Sequence, residues 1–445
     1  MKVVNSYKVK LININISLDP TVDIFRKAVT YFIDVIEANW DDIGILRSKE
    51  KVNYVEKLTH RTKKNPHPTY SDFDLLFYKL PSYMRRSAIQ DAIGSVSSYR
   101  SNLVNYEIEK YQAISNGKEF KKKPPKLQLK HFKCPALYKG NMYNRLDRNT
   151  AQIKVFKNND WVWQTVNLRN QDIKYIEKHC KEDKEFSPIL LKSGRKYYLQ
   201  FSYEKKVELN HTKLQDQVVV GVDLGLNTSA VCSAVKADGT VIGRKFINQP
   251  IEKDRQKHLL NRLRLKQKQS GKGAKMPRVW NKINNLNKHI VENTANEIIK
   301  FAIEQNADVI VFEYLNFKGK KPKGRAMQLQ MWAKRRIQDK VFGMAHSNGI
   351  RYRRVNPRNT SKLAFDGSGV VKRDKTNASI CTFTTGKLYN TDLSASYNIG
   401  ARYFIGEIQK TANAKKWSQV LAKVPELERR TQCTLSSLIS LAEAM

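Results

Sequence analysis

The chain has 445 residues, enough for two or three domains, and 81 Lys and Arg against 41 Asp and Glu give it a formal charge of +40. Self-repulsion on that scale disfavours a compact fold unless a polyanion neutralises it, so nucleic acid is the expected partner ahead of a ribosomal or membrane surface. Five scattered cysteines without a CxxC pair exclude a four-cysteine zinc site built from close pairs and suggest no disulfide framework. No run approaches roughly 18 apolar residues and no signal-peptide core opens the chain, so the expectation is a soluble intracellular protein.

Tyr7, Val9 and Leu11 alternate with Lys8 and Lys10; Ile12, Ile14, Ile16 and Leu18 then alternate with Asn13, Asn15 and Ser17. A period of two marks a half-buried strand, and the slip at Leu11-Ile12 predicts a β-bulge. Asp19-Pro20 ends the strand, and Pro20 to Asp23 opens a helix to about Asn39. Arg61 to Pro68 reads as a loop. Ser82 to about Tyr111 sets Ile89, Ile93 and Val96 at helical spacing, which makes 20–115 a helical block. Lys121-Lys122-Lys123-Pro124-Pro125-Lys126 is a basic linker, either solvated or in contact with a nucleic-acid backbone. Ile153 and Val155, then Trp161 and Trp163, flank Lys157-Asn158-Asn159-Asp160, a hairpin signal, and Lys196 to Tyr203 is another strand. Residues 1–18 and 126–210 are therefore expected to form one β domain interrupted by a helical domain at 19–125.

From Gln217 the pattern is α/β. Val218 to Val222 is apolar on both faces, as a buried central strand requires. Ser229 to Val235 and Val241 to Phe246 follow, the latter two joined through Asp238-Gly239. The stretch 252–290 is helical and basic, broken near Ser270-Gly271-Lys272-Gly273. Ile283, Leu286, Ile290, Ile298 and Phe301 mark the buried stripe of a long helix. Asp308 to Phe312 is a second buried strand, Ala326 to Ser347 a basic helix, and Ile350, Tyr352 and Val355 a further strand ended by Asn356-Pro357. Asp392 begins a helix with Leu393, Tyr397, Ile399 and Tyr403, and the segment from about Lys415 is helical.

Asp223 and Glu313 each follow a buried strand, and Asp392 opens a helix. Taken singly, Asp223 reads as a turn former or helix cap, Glu313 as the partner of a nearby lysine, and Asp392 as an N-cap. Taken together they point to chemistry. Three strands, a helix and a fourth strand follow the order of an RNase H-type sheet, in which the first and fourth strands are neighbours and Asp223 and Glu313 stand side by side. Clustered carboxylates raise one another's pKa. Hard divalent cations, Mg²⁺ or Mn²⁺, remove that cost, and two ions about 3.5–4 Å apart can activate water and stabilise the leaving oxygen of a phosphodiester.

Val220-Gly221-Val222-Asp223-Leu224-Gly225, Val311-Phe312-Glu313-Tyr314-Leu315-Asn316 and the run from Asp392 to Gly400 resemble the three motifs of a split RuvC nuclease, in the version of TnpB proteins and their descendants, the miniature type V CRISPR effectors. The likeness spans 217–405; the N-terminal half resembles the family in layout alone. It implies a multidomain α+β protein: an RNase H-like (RuvC) α/β nuclease domain at 211–355 and 388–445, a wedge-like β-barrel domain with an inserted helical recognition domain, and a zinc-finger-like insert at 356–387. It implies an RNA-guided DNA endonuclease with guide RNA and target double-stranded DNA as partners, acting as a monomer or as a homodimer on one guide, in the prokaryotic cytoplasm and on the nucleoid when bound to DNA. Asp223, Glu313 and Asp392 would hold two Mg²⁺ (Mn²⁺ serving as well), and Asn398 matches a further family position. Trp161 and Trp163 are read first as core and second as base-stacking platforms.

The chain departs from the family twice. The insert usually carries two CxxC pairs, but Ser361 to Gly367 has no cysteine and Cys381 to Thr384 has one, so zinc is not expected and packing must hold the insert. Ser394 stands where the family has asparagine, which alters a contact around the site without removing a ligand. A guide-dependent, non-cutting repressor is the alternative, and it would be expected to lack one of the acids. A conventional transposase or junction resolvase fits the inserted helical block poorly. TnpB and CRISPR effector are not distinguished by sequence; their genomic neighbours would separate them.

Overall fold

In a computed structural model the chain forms two compact units, Lys2–Lys205 and Lys206–Met445, the second also including Met1. The structure describes all residues except 13, 15, 16, 118, 128–134, 226, 227, 271–275, 316–324, 375 and 378, with the backbone alone at 325–332. Asn13, Asn15, Ile16, Cys134, Leu226, Asn227, Gly271 to Gly273 and Asn316 of the sequence reading thus lie outside the described residues.

The first unit comprises strand β1 (Lys2–Ile12), helices α1 (Asp19–Ala38), α2 (Trp40–Gly44), α3 (Ser48–Thr59), α4 (Phe73–Leu76) and α5 (Ser82–Ser115), strands β2 (Tyr143–Arg145), β3 (Thr150–Lys157) and β4 (Asp160–Leu168), helix α6 (Asn170–Cys180), and strands β5 (Lys184–Glu185), β6 (Ile189–Ser193) and β7 (Lys196–Lys206). The sheet order is β2-β3-β4-β1-β7-β5, with β6 on β7. Val22, Phe25, Val29, Phe32, Ile33 and Ile36 recur every three or four residues on α1, so one face is apolar. That face shares a continuous core with Ala88, Ile89, Ala92 and Val96 of α5 and with Ile153, Val155, Leu199 and Phe201 of the sheet.

Two expectations here are corrected. Strand β1 ends at Ile12, and of the alternating run beyond it the described residues Ile14, Ser17 and Leu18 lie outside any strand. Leu18 is fully buried as the residue leading into α1, so its apolar character serves the helix entry. The tryptophans also divide. Asn158 and Asn159 both take positive φ, +50° and +62°, the backbone of a tight two-residue hairpin whose register pairs Phe156 with Trp161. Trp161 packs against the core, but Trp163, farther along the ribbon, is 40% exposed and faces Lys154 across the strands.

The second unit is built on β8 (Val218–Asp223), β9 (Ala230–Lys236), β10 (Val241–Ile247), helices α7 (Pro250–Gln269) and α8 (Pro277–Glu304), β11 (Val309–Glu313), α9 (Arg325–Ser347) and β12 (Arg351–Val355). Its sheet runs β10-β9-β8-β11-β12, with β8, β9 and β10 antiparallel and β11 parallel to both neighbours. The first and fourth strands are thus adjacent, as the sequence order required. Val220, Val222, Ile310 and Phe312 face α8 and α9, whereas Val219, Val309 and Val311 face the other helical layer. A sheet covered on both faces accounts for the unbroken apolar runs.

Past β12 a small sheet, β13 (Lys372–Arg373), β14 (Ile380–Thr382) and β15 (Leu388–Asn390), has its own core of Ala364, Val371, Cys381 and Phe383. Cys381 serves there as a buried apolar residue, its thiol donating to Tyr389 O. Helices α10 (Thr391–Thr411), α11 (Ala414–Lys423) and α12 (Leu435–Ala444) complete the chain. Phe365 packs 5.2 Å from the Tyr397 ring on α10 and 4.9 Å from Tyr389, so aromatic packing joins the small sheet to α10. Among the described residues no helix is long and apolar enough to cross a membrane.

Candidate active site

Two strands and one helix deliver the three acids. Val222 pairs with Phe312 in the parallel β8/β11 ladder, so the next residues, Asp223 and Glu313, leave the same edge of the sheet side by side. Helix α10 brings the third. A Cβ on Gly221 would lie 2.8 Å from Gly400 N and closer still to Ser396 O, so the missing side chain allows helix and strand backbones to touch. At Gly225 a Cβ would lie 2.9 Å from Asp392 Oδ2, which sets the Asp392 carboxylate against the chain just past Asp223. Gly221→Ala should therefore push α10 away, at a cost above the ~1–3 kcal/mol usual for overpacking, because backbone cannot yield as a side chain does. A thermal melt should show a clear loss of stability; a wild-type melting temperature would contradict this packing.

Nor is Asp392 the helix cap. Asn390 fills that position, its side chain accepting from Leu393 N at 2.9 Å, which leaves the Asp392 carboxylate, in the first turn, available to the site. Glu313 is gripped by a hydroxyl rather than a lysine: Thr360 Oγ1 donates to its Oε1, while Gln338 Nε2 donates to its backbone carbonyl at 2.9 Å.

The electrostatics tie the acids together. Burial raises the Asp223 pKa well above the ordinary carboxyl value, and the charges of Glu313 and Asp392 raise it further, against a lesser pull from Lys334. Burial likewise raises Glu313, opposed by Thr360, Lys334 and Arg402, and raises Asp392, opposed by Lys334, Arg373 and Lys253. Among the described residues, though, no three His, Cys, Asp or Glu form a group that could by itself hold a metal ion. The set is three carboxylates with raised pKa, an oxygen-donor chemistry of the kind hard divalent cations take, with Lys334 opposing the rise at all three.

Beside it opens a cleft of about 480 Å³ whose lining includes Gly225, Lys253, Lys257, Asn261, Asn287 and Lys334. Burial and the neighbouring Lys334 push Lys253 down to about 8. Sequence reasoning passed over these lysines, since a helix dense in Lys and Arg gives no sign of which side chains turn inward.

Asn398 is fully buried and ties three backbone groups: Nδ2 donates to Thr360 O and Leu363 O, each at 3.0 Å, and Oδ1 accepts from Leu435 N at 3.1 Å. Arg402, one turn on, donates to Asn356 O, Arg358 O, Thr431 O and Cys433 O, and burial lowers it to about 10. Sequence reasoning missed Thr360 and Arg402. Ser394 is buried with its hydroxyl unpartnered among the described residues.

Comparison with known proteins follows the same division. Residues 5–157 match the Aq_aa04 family, and residues 200–317, which include Asp223 and Glu313, match the probable transposase family OrfB_IS605. The TnpB-like protein aq_aa05 of Aquifex aeolicus (strain VF5) is 27% identical over 232 residues, 48% of this chain and 76% of the relative. The uncharacterized protein aq_aa04 of the same strain is 32% identical over 133 residues, 27% of this chain and 70% of the relative. The solved structure of the mini-RNA-guided endonuclease CRISPR-Cas phi3 shares the fold at a TM-score of 0.50 and 12% identity, over 89% of this chain and 92% of that one. The class is therefore the mixed helix-and-sheet, multidomain fold of these proteins, and the resemblance to TnpB and the miniature type V effectors read from the three motifs holds. The chain belongs to the Aq_aa04 family and carries a TnpB-type transposase domain.

Proposed function

We propose that the protein is an RNA-guided DNA endonuclease with a RuvC-like, RNase H-type nuclease centre. The carrying observation is Asp223, a half-buried carboxylate at the strand end that both Glu313 and Asp392 push toward protonation, next to a lysine-bearing cleft. Asp223, Glu313 and Asp392 would hold divalent cations, two Mg²⁺ or Mn²⁺, which when bound supply an activated water and charge stabilisation at the scissile phosphate. The chain's own residues do the rest. The rigid β8/β11 pair fixes two carboxylates, α10 presents the third, and Lys253, Lys257 and Lys334 attract the phosphodiester backbone into the cleft.

In this reading residues 1–18 and 126–210 act as the wedge-like β domain, 19–125 as the recognition block, and 356–387 as a zinc-free insert. Guide RNA neutralises much of the +40 charge and reads the target by base pairing, while the protein supplies backbone contacts. The relatives named above include a TnpB-like protein and an RNA-guided endonuclease, which supports the reading. The test is to express the gene with its native flanking sequence, purify the protein and sequence the nucleic acid that accompanies it. A discrete RNA species in stoichiometric amount is expected; heterogeneous cellular RNA removable by salt would count against a guide.

A further inference from the structure

Glu313 differs from the other two acids in how it is held. Its backbone is fixed by the sheet: it pairs with Val355, Tyr314 N donates to Val355 O at 2.8 Å, and Gln338 holds its carbonyl. Its carboxylate is gripped from elsewhere, by Thr360, which is 1% exposed at the start of the insert. The same hydroxyl lies 2.9 Å from Pro357 O. A threonine hydroxyl has one proton, so carboxylate and carbonyl compete for it, and the ionised carboxylate is the stronger acceptor.

The loop bearing Thr360 is in turn clamped. Asn398 takes the carbonyls of Thr360 and Leu363, and Arg402 takes those of Asn356 and Arg358. Both clamps stand on α10, the helix that carries Asp392 in its first turn. A rigid path thus runs from the helix of one acid, through the start of the insert, to the carboxylate of another.

We propose that Thr360 is the positioning residue of Glu313, and that Asn398, by holding the Thr360 carbonyl, keeps that hydroxyl in place so that the Glu313 carboxylate is oriented for the divalent ions the acids would hold. The inference rests on reading the three acids as the ion-binding site. The insert, though it lacks its cysteine pairs, then contributes to the site, because its first turn orients a ligand. Side chains that orient a metal ligand typically contribute roughly 10–100-fold to affinity.

The test uses the full chain with Mn²⁺ as probe, bound ion being measured by electron paramagnetic resonance. Thr360→Val keeps the volume and removes the hydroxyl; Thr360→Ser keeps the hydroxyl. Thr360→Val should weaken Mn²⁺ binding roughly 10–100-fold with an unchanged circular dichroism spectrum, and Thr360→Ser should restore it. In guided cleavage, Thr360→Val should raise the Mg²⁺ concentration for half-maximal rate and leave the KM for DNA unchanged. Asn398→Ala should also weaken Mn²⁺ binding. Equal Mn²⁺ binding by wild type and Thr360→Val, while Asp223→Asn loses it, would overturn the positioning role and leave the site standing. Thr360→Ser as poor as Thr360→Val would overturn the positioning role of the hydroxyl, since restoring it would not restore binding. Undiminished Mn²⁺ binding by Asp223→Asn would instead overturn the acidic site itself.

Discussion

Asp223→Ala is expected to abolish target cleavage while leaving the bound RNA in place. Asp223 is the acid whose charge both others oppose, so under the proposed function its loss should disturb ion binding by all three. If cations supply several kcal/mol of transition-state stabilisation, the single-turnover cleavage rate should fall by roughly 10³-fold or more. Glu313→Ala and Asp392→Ala should fall into the same range, and double variants should add little, because residues acting as one unit are not additive. The side chain lies at the end of a buried strand in the second unit, and its removal leaves the basic surfaces of the chain intact. A variant that loses RNA along with cleavage would indicate a folding defect; one that retains Mg²⁺-dependent cutting would refute the assignment.

The second large effect is on stability, and its sign runs opposite to the usual one for a carboxylate. An acid whose folded pKa lies above its ordinary value of 3.8 binds its proton more tightly folded than unfolded. Stability is therefore lost as pH rises from 3.8 through the raised folded value, and the penalty is complete above it. Asp223→Asn removes that penalty, so without divalent ions at about pH 7.5 the variant should melt higher than the wild type. For a unit of this size the gain is roughly 2–4 °C for each kcal/mol relieved. Below pH 3.8 the difference should vanish, since both side chains are then neutral. Mg²⁺ should raise the wild-type melting temperature through preferential binding to the folded state, and raise the variant's much less. A lower melting temperature for Asp223→Asn at that near-neutral pH would contradict crowding of the acids; scanning fluorimetry across pH with EDTA or Mg²⁺ decides it.

The centre of the second unit was readable because its signals are local. Val218 to Val222 is apolar on both faces, Asp308 to Phe312 repeats the pattern, and the strand order then fixes which ends are neighbours. The Asn158-Asn159 turn was equally plain, since both residues tolerate positive φ. What was not readable depends on residues distant in the chain. Thr360 looks like any loop threonine until the fold sets it on Glu313, and Arg402 looks like a surface arginine until four carbonyls surround it. Leu18 continued an alternating pattern yet is buried at a helix entry, because a period of two over a short run does not say whether its last residue belongs to the strand or to the helix that follows. Asn398 was marked by resemblance alone; its reason, a triple backbone clamp, appears only with the insert and α12 in place.

The central claim is that RNA directs where this protein cuts DNA. The direct measurement loads the protein with its co-purified RNA, the guide portion replaced by a chosen sequence. A plasmid library carrying the matching target beside randomised flanking bases is then added with Mg²⁺. The account predicts cleavage of plasmids with the matching target and a shared flanking motif, lost when the guide is scrambled and lost with Asp223→Ala. Cutting that ignores the guide, or tight guide-dependent binding without any cutting, would contradict it.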